Sequence, residues 1–342
     1  MGKKKNNSKP LPFVSICTPT FNRRPFIPFM LRCFEIQTYP KDRIEWIIID
    51  DGTDKIEDMV THIPQIKYFK YDTKMTLGKK RNLAHEKCKG DIIVYMDDDD
   101  YYPPERISHA VEVLQNNKQA LCAGSSIMHI YFKHINKMVQ FGPYGPNHAT
   151  AATFAFRKEL LKQTRYQEDA CVAEERSFLK DYTIPFVQLD TMKTILVFSH
   201  VHNSFDKKSL IKDGENQYVK FTNVSVDNFV KENDIKQFFM KDIDHLLDIY
   251  QPGKPENKPD VMKQLEELRI KREKQMLEQQ QKLFMNNEQV QTMQKKMSEM
   301  SIIIQELNME NSILKNKNEY LENKISKLIQ DLIDLKKSQF SN

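Results

Sequence analysis

No run of apolar residues in this chain approaches the roughly 18 that a membrane-crossing helix needs. The start, MGKKKNNSKP, is basic without the apolar segment of a secretion signal. Gly2 could open a myristoylation site, but Asn6 stands where Ser or Thr is required. Disulfide chemistry is also missing: Cys17, Cys33, Cys88, Cys122 and Cys171 are odd in number, scattered and without a CxxC pair, the pattern of reduced, buried thiols in a cytosol-like compartment. No one-sided charge is present either. The 52 basic residues are dispersed among 47 acidic ones and leave a net +5, which gives little support to nucleic-acid binding. With 39% apolar residues and a mean hydropathy of −0.63, part of this 342-residue chain is expected to stay outside any core. The reading is a soluble, cytoplasmic protein with a flexible basic leader over residues 1–10.

What is present falls into two regions. Up to about residue 200, the runs PFVSIC (12–17), IEWIIID (44–50), IKYFKY (66–71) and DIIVYM (91–96) are continuously apolar or β-branched, as suits central parallel strands covered on both faces. Segments 26–37, 53–60 and 78–88 between them have helical length and composition. The alternation predicts an α/β three-layer fold whose ligands bind at the carboxyl ends of the strands. Asp50 and Asp51 close the second strand and Asp97 to Asp100 close the fourth, so both acid clusters are expected on one edge of the sheet.

After a Pro- and Gly-punctuated hinge at 251–260, residues 261–342 contain no Pro, Gly, Trp or Cys. Leu307, Leu314, Leu321, Leu328 and Leu335 recur every seven residues, preceded by Met293 and Met300, and define the d positions of a heptad repeat. The a positions hold Val290, Met297, Ile304, Asn311, Asn318, Ile325 and Leu332. Asparagines at a favour two parallel strands, and Glu310 with Lys315, Lys317 with Glu322 and Asp331 with Lys336 are attractive g to e′ pairs. A parallel homodimer through 290–335 is the expectation, with 261–285 fitting the register poorly.

Four adjacent aspartates repel one another unless something cationic sits among them. An Asp-x-Asp array at a strand end offers hard oxygen ligands that suit Mg²⁺ or Mn²⁺ bridging carboxylates to a nucleotide diphosphate. A solvated acidic turn is the plain alternative.

The stretches VSICTPTFNRR (14–24), IIIDDGTD (47–54), GKKRNLAHEKCKGD (78–91) and YMDDDDYYPPERI (95–107) resemble, in order and spacing, the inverting nucleotide-sugar glycosyltransferases of the GT-A fold, family two, over roughly residues 11–205. The Lys-, Asn- and Ile-rich wording with an appended coiled coil is also similar to glycosyltransferases of giant DNA viruses. The resemblance implies a GT-A domain over 11–250, with a nucleotide-binding part at 11–105 and an acceptor part at 106–205. It implies a UDP-sugar as the donor and a hydroxyl of a glycan, protein or small molecule as the acceptor. Position by position, it puts Thr18 near the base and ribose, Asp51 on the uracil edge and Arg81 on the base or diphosphate, with Lys79 and Lys80 as helpers. Asp97 lies toward the ribose, Asp98 in the variable middle position with the donor-binding group, Asp99 on the metal and Asp100 in support. Glu175, with Glu174 beside it, matches the general base, although Asp is usual in the second place; Asp169 is held in reserve. Acids in a first helical turn are also favoured by the helix dipole alone. His200 in SHVHNSF matches a metal-binding histidine, with His202 as alternate; at i, i+2 on an extended segment the two would face the same way.

The loop in GPYGPNHATAATFAFRKELL (142–161) is of the kind that lines acceptor pockets, with His148 and Thr150 as polar contacts. A haloacid-dehalogenase-type phosphatase would want Thr or Val where Tyr101 stands, and a nucleotidyltransferase a Gly-rich loop where TPTFNRR has none. A non-catalytic sugar-nucleotide-binding head on a coiled-coil scaffold stays open.

Overall fold

The computed structural model describes residues 11–339, and the predicted basic leader at 1–10 lies outside them. The chain divides into two units between Glu267 and Leu268. In the first, the apolar runs form β1 (Val14–Thr20), β2 (Ile44–Asp50), β3 (Ile66–Lys70) and β4 (Ile92–Tyr95). Between them lie α1 (Ile27–Glu35), α2 (Glu57–Val60) and α3 (Leu77–Lys87), and α4 (Arg106–Asn116) follows β4. β1 pairs in parallel with both β2 and β4, and β2 with β3.

Side-chain alternation along these strands builds two cores. Ile16, Trp46, Ile48, Ile92 and Val94 face α1 and α4, while Cys17, Ile47, Ile49, Ile93 and Tyr95 face the α3 side. That is why β2 buries all seven of its residues and carries no polar alternation. Of its two acids, Asp50 stands at the carboxyl end, and Glu45 within the strand is satisfied by the Ser15 hydroxyl at 2.6 Å and by the Lys67 ammonium.

Further strands β5 (Cys122–Gly124), β6 (Met128–Phe132), β7 (Lys137–Phe141) and β8 (Ala155–Arg157) precede α5 (Glu175–Phe178), β9 (Phe186–Gln188), β10 (Val197–Ser199) and β11 (Val219–Thr222). The main sheet runs β3-β2-β1-β4-β8-β5-β9 and a second runs β10-β6-β7-β11. β8 enters antiparallel to β4. The fully buried Arg106 fastens this junction, donating to the carbonyls of Tyr95 (3.1 Å), Thr153 (2.9 Å) and Phe154 (2.8 Å). Three short helices, α6 (Val226–Phe229), α7 (Asn233–Gln237) and α8 (Ile243–Ile249), add Phe229, Ile235 and Ile243 to the core on the α1 side.

The predicted hinge at 251–260 is packed onto the first unit. Asn22 donates to the Pro252 carbonyl at 3.0 Å, and Lys258 is buried. The last helix, α9 (Pro259–Gln339), begins within this segment and runs 81 residues. Among the described residues no helix is long and apolar enough to cross a membrane.

Candidate active site

The chain winds from β1 toward β3 on one side and from β4 toward β9 on the other, so the carboxyl ends of β1 and β4 flank the crevice where open α/β sheets bind ligands. A cavity of about 170 Å³ lies there. It is lined by Phe21 and Arg23 after β1, Lys80 and Arg81 of α3, Asp97, Asp98 and Asp99 after β4, and, from far along the chain, Ser204, Lys258 and Asp260. Small-molecule sites usually enclose roughly 300–1,000 Å³. A ligand of that size would therefore enter only as these side chains give way.

α3 is built for this place. It buries Lys80, Arg81, Asn82 and His85, polar residues that rarely go inside unpaired. Thr76 caps its first turn, accepting from Lys79 N at 3.3 Å. Gly78 is required by close approach, since a Cβ there would sit 2.0 Å from the Gln167 carbonyl oxygen. Its N–H donates to the Ala170 carbonyl at 2.8 Å, fixing the 163–174 loop beside the cavity.

The aspartates alternate. Asp98 and Asp100 are buried, whereas the Asp97 and Asp99 side chains keep 23% and 17% exposure. Arg23 spans two of them, with Nε 3.6 Å from Asp98 Oδ1 and Nη2 3.2 Å from Asp99 Oδ2. It also donates to the His202 carbonyl at 2.8 Å. Arg81 lies with Nε 3.0 Å from Glu174 Oε1, Nη1 3.8 Å from Asp97 Oδ1 and its guanidinium 4.4 Å from the Tyr95 ring centroid. Asp97 Oδ1 and Arg81 Nη1 have no hydrogen-bond partner.

Burial raises Asp97, and burial with the Asp99 charge raises Asp98 to about 7 and Asp100 well above the carboxylate range. Asp99 goes the other way: burial opposes its charge, but Arg23 and then His200 pull it below the usual range. Of the four, Asp99 is the acid held firmly ionised. Burial, and then Arg23, lowers Lys258 to about 7; Lys207 is lowered by burial against the pull of Asp99 and Asp100.

The structure distributes the sequence-predicted residues unevenly. His200 Nε2 lies 3.3 Å from Asp99 Oδ2, and burial lowers its imidazole to about 3, so it is neutral. His202 does not face the same way, a correction to the extended-segment expectation. Residues 201–202 form a turn, and the His202 ring packs by Tyr250 and Gly253, with neither ring nitrogen hydrogen-bonded. Thr18 lies outside the cavity lining. Its hydroxyl donates to the Met96 carbonyl at 2.5 Å and accepts from the Trp46 indole at 2.8 Å, deep between the strands and away from the cavity lining. Asp51 is buried and serves the site through neighbours, accepting from Lys80 Nζ at 2.8 Å and Met75 N at 2.5 Å. Asp50 is a turn residue, bonded by Tyr68 at 2.6 Å and Gly52 N at 2.8 Å.

Glu174 and Glu175 open α5, preceded by Ala173 in the left-handed region (φ 54°). Glu174 is tied to Arg81, whereas burial and the Glu174 charge raise the half-buried Glu175 to about 7. Asp169 is exposed, and it is absent from the cavity lining. His148 and Thr150 lie in the β7–β8 connection, outside the cavity. Sequence reasoning missed Arg23, Lys207, Ser204 and Lys258. Arg23 had a signal, a cation just past the first strand; Lys258 had none.

A carboxylate with an unpartnered oxygen beside one held ionised by neighbouring cations suits a hard dication, which needs only one or two protein carboxylates when phosphates complete its shell. The unpartnered Asp97 Oδ1 and the ionised Asp99 fit that requirement. Among the described residues no three His, Cys, Asp or Glu side chains group as a complete ligand set.

Residues 15–182 match the family described as glycosyl transferase family 2. The poly(ribitol-phosphate) beta-N-acetylglucosaminyltransferase TarS of Staphylococcus aureus is 26% identical over 213 residues, 56% of this chain and 34% of that protein. An undecaprenyl-phosphate 4-deoxy-4-formamido-L-arabinose transferase of Pseudomonas syringae is 31% identical over 116 residues, 31% of this chain and 34% of that one. The chain spans about a third to a half of the length of the curated relatives it matches. Among solved structures, TarS 1–349 in complex with UDP-GlcNAc matches at a TM-score of 0.42 and 19% identity, covering 54% of this chain and 58% of that one. The mannosyltransferase PcManGT of Pyrobaculum calidifontis in complex with GDP-Man and Mn²⁺ matches at 0.45 and 14%, covering 68% and 71%. The fold is the GT-A α/β arrangement followed by a long helix.

Proposed function

We propose, from the premise that residues 15–182 are a glycosyl transferase family 2 domain, that this chain is an inverting, metal-dependent glycosyltransferase moving a sugar from a UDP-sugar to a hydroxyl acceptor. The observation that carries this reading is the convergence of Asp97, Asp99, Lys80, Arg81 and Lys258 in one crevice at the strand ends. Lys80, Lys258 and Arg23 supply positive charge to a diphosphate, and Asp51 orients Lys80. Asp97 and Asp99 would hold Mg²⁺ or Mn²⁺, with His200 beside Asp99, and the bound ion would neutralise charge on the leaving diphosphate. Glu175 takes the proton of the attacking acceptor hydroxyl, and a single displacement inverts the anomeric carbon.

The second unit supports a parallel homodimer. Leu307, Leu314, Leu321 and Leu328 stand at one heptad position on α9 and are 44–55% exposed in the single chain. Five free, buried thiols support a reducing, cytosol-like compartment.

Thermal melting with UDP-, GDP- and dTDP-sugars plus Mn²⁺ tests the donor site. A ligand at a hundred times its Kd stabilises the folded state by about 2.7 kcal/mol. UDP-sugar is expected to raise the wild-type melting temperature, and Asp99→Ala is expected to lose the rise. Absence of stabilisation by every nucleotide sugar would sink the reading.

A further inference from the structure

We propose that the groove between the β7–β8 loop and the start of β6 is an acceptor subsite for a neutral saccharide chain. This rests on the glycosyltransferase reading. The groove encloses about 610 Å³ and is lined among others by Ser125, Ser126, Tyr144, Gln188, Thr191 and Tyr218. Tyr144 and Tyr218 stack with ring centroids 5.2 Å apart and 27° between planes, yet they remain 44% and 39% exposed. An exposed aromatic pair outside the core marks a binding surface.

The rings continue inward. Tyr144 lies 4.8 Å from His148, and His148 lies 5.1 Å from Tyr182. The phenol of Tyr182 is raised by burial and then by the Glu175 charge, so the innermost ring sits within electrostatic reach of the proposed base. Lys180, Asp181 and Tyr182 all adopt left-handed backbone (φ 48°, 53° and 63°), a costly conformation for non-glycine residues that turns the chain sharply after α5. The result is a row of aromatic rings with steps of about 5 Å, running from the outer groove toward the acid that would deprotonate the acceptor.

Two polar atoms of the β7–β8 connection behind the groove, one of them on the His148 ring of this row, are left for a hydroxyl-bearing ligand to meet. His148 Nδ1 and Thr150 Oγ1 are buried without a hydrogen-bond partner, a state that costs about 1–3 kcal/mol per group until something meets it. The surrounding loop is pinned by its own hydrogen bonds. Ser126 Oγ accepts from the amides of Tyr144 (2.8 Å) and Gly145 (3.1 Å), and the Gln188 amide donates to the carbonyls of Pro146 (2.8 Å) and His148 (3.0 Å). A preformed surface binds without the entropy cost of ordering it.

Charge selects among acceptors. Among the described residues no Lys or Arg lines the groove, and its one formal charge is Asp190. A phosphate-rich polymer or a lipid phosphate would meet no cation there. A neutral sugar presents C–H faces to aromatic rings and hydroxyls to amides and serines, which is what the groove offers.

Saturation-transfer NMR on the full chain with chitotetraose, cellotetraose and mannotetraose, each beside a ribitol-phosphate oligomer, tests this. At least one tetrasaccharide is expected to bind the wild type through its ring C–H protons. Tyr144→Ala and Tyr218→Ala, retaining the wild-type melting transition, are expected to weaken it about tenfold, the scale of one lost aromatic contact, and Tyr144→Phe to restore it. The proposal is overturned if UDP binds the wild type and no tetrasaccharide does, if the alanine variants bind as the wild type does, or if only the ribitol-phosphate oligomer binds. Tetrasaccharide binding without any nucleotide-sugar binding would overturn the donor reading and leave the groove standing.

Discussion

Trp46 and Leu314 are both large apolar residues in regular structure, and they meet opposite fates: Trp46 has no exposed surface, while half of Leu314 faces solvent. The first unit closes over its own apolar residues because β-strand alternation sends them to two faces, each with a partner layer. The long helix sends its leucines to one stripe that no other part of its own unit covers. Burying a leucine is worth about 1.5–3 kcal/mol, so the stripe is a standing drive to associate. The first region covers its own apolar surface as a single chain, and the proposed parallel homodimer would cover the stripe of the other with a second helix. Chemistry and assembly should therefore be separable by mutation.

The largest effect is expected in the first unit and should leave assembly untouched. Glu175→Gln removes the proposed base and should lower kcat by about 10²–10⁴. The pH profile gives the sharper check. A base acts ionised, and Glu175 is raised to about 7 by burial and by Glu174, so wild-type kcat should climb from about pH 6 to about pH 8, half-maximal near 7, and level off above that. The variant should lose this limb while light scattering reports an unchanged mass. A retained limb would move the base to another residue.

The converse experiment is Leu314→Asp with Leu321→Asp. Two charges in the d layer should weaken self-association by roughly 10³ or more, since each large-to-small change at a packed site alone costs about 2–5 kcal/mol. The expected result is a monomer by light scattering with unaltered kcat in solution. If the double variant kept a dimer, the stripe would not be the interface; if it lost kcat, the two regions would not be separable.

How far this division was legible beforehand depends on how local each signal is. The strands, the helices between them and the long helix follow from patterns within a dozen residues, and the structure has them where 12–17, 44–50 and 91–96 put them. The alternation of Asp97 and Asp99 outward with Asp98 and Asp100 inward is likewise a local consequence of the backbone leaving β4. Long-range pairing was not legible. Arg23 meeting Asp98 and Asp99, and Arg81 meeting Glu174 across 93 residues, depend on how the loops fold back, which no spacing encodes. The bond that the Trp46 indole of the neighbouring strand gives the Thr18 hydroxyl is another such pairing, which no spacing announces.

The smallest effect is expected where the segment following the first unit's last short helix enters the site. Asp260 in the first turn of α9 pairs with Lys74 at 2.5 Å, and Gln264 one turn later accepts from the amides of Cys171 (2.7 Å) and Val172 (3.1 Å). These contacts hold the 163–174 loop and place Lys258 over the cavity, where it donates to Ser204 Oγ at 2.8 Å. The Lys74–Asp260 pair is about a quarter to a third exposed, so solvent screens it and its worth is about 0.2–1 kcal/mol. Asp260→Asn should accordingly raise the donor KM by about 1.5- to 5-fold with kcat and mass unchanged, whereas Lys258→Met, which removes a charge from the cavity itself, should raise it further. Equal KM values for Asp260→Asn and wild type would mean that the Gln264 contacts alone seat this segment. A change in kcat would mean that the first turns of the helix shape the reacting geometry, and that the boundary between chemistry and assembly lies deeper in α9 than Glu267.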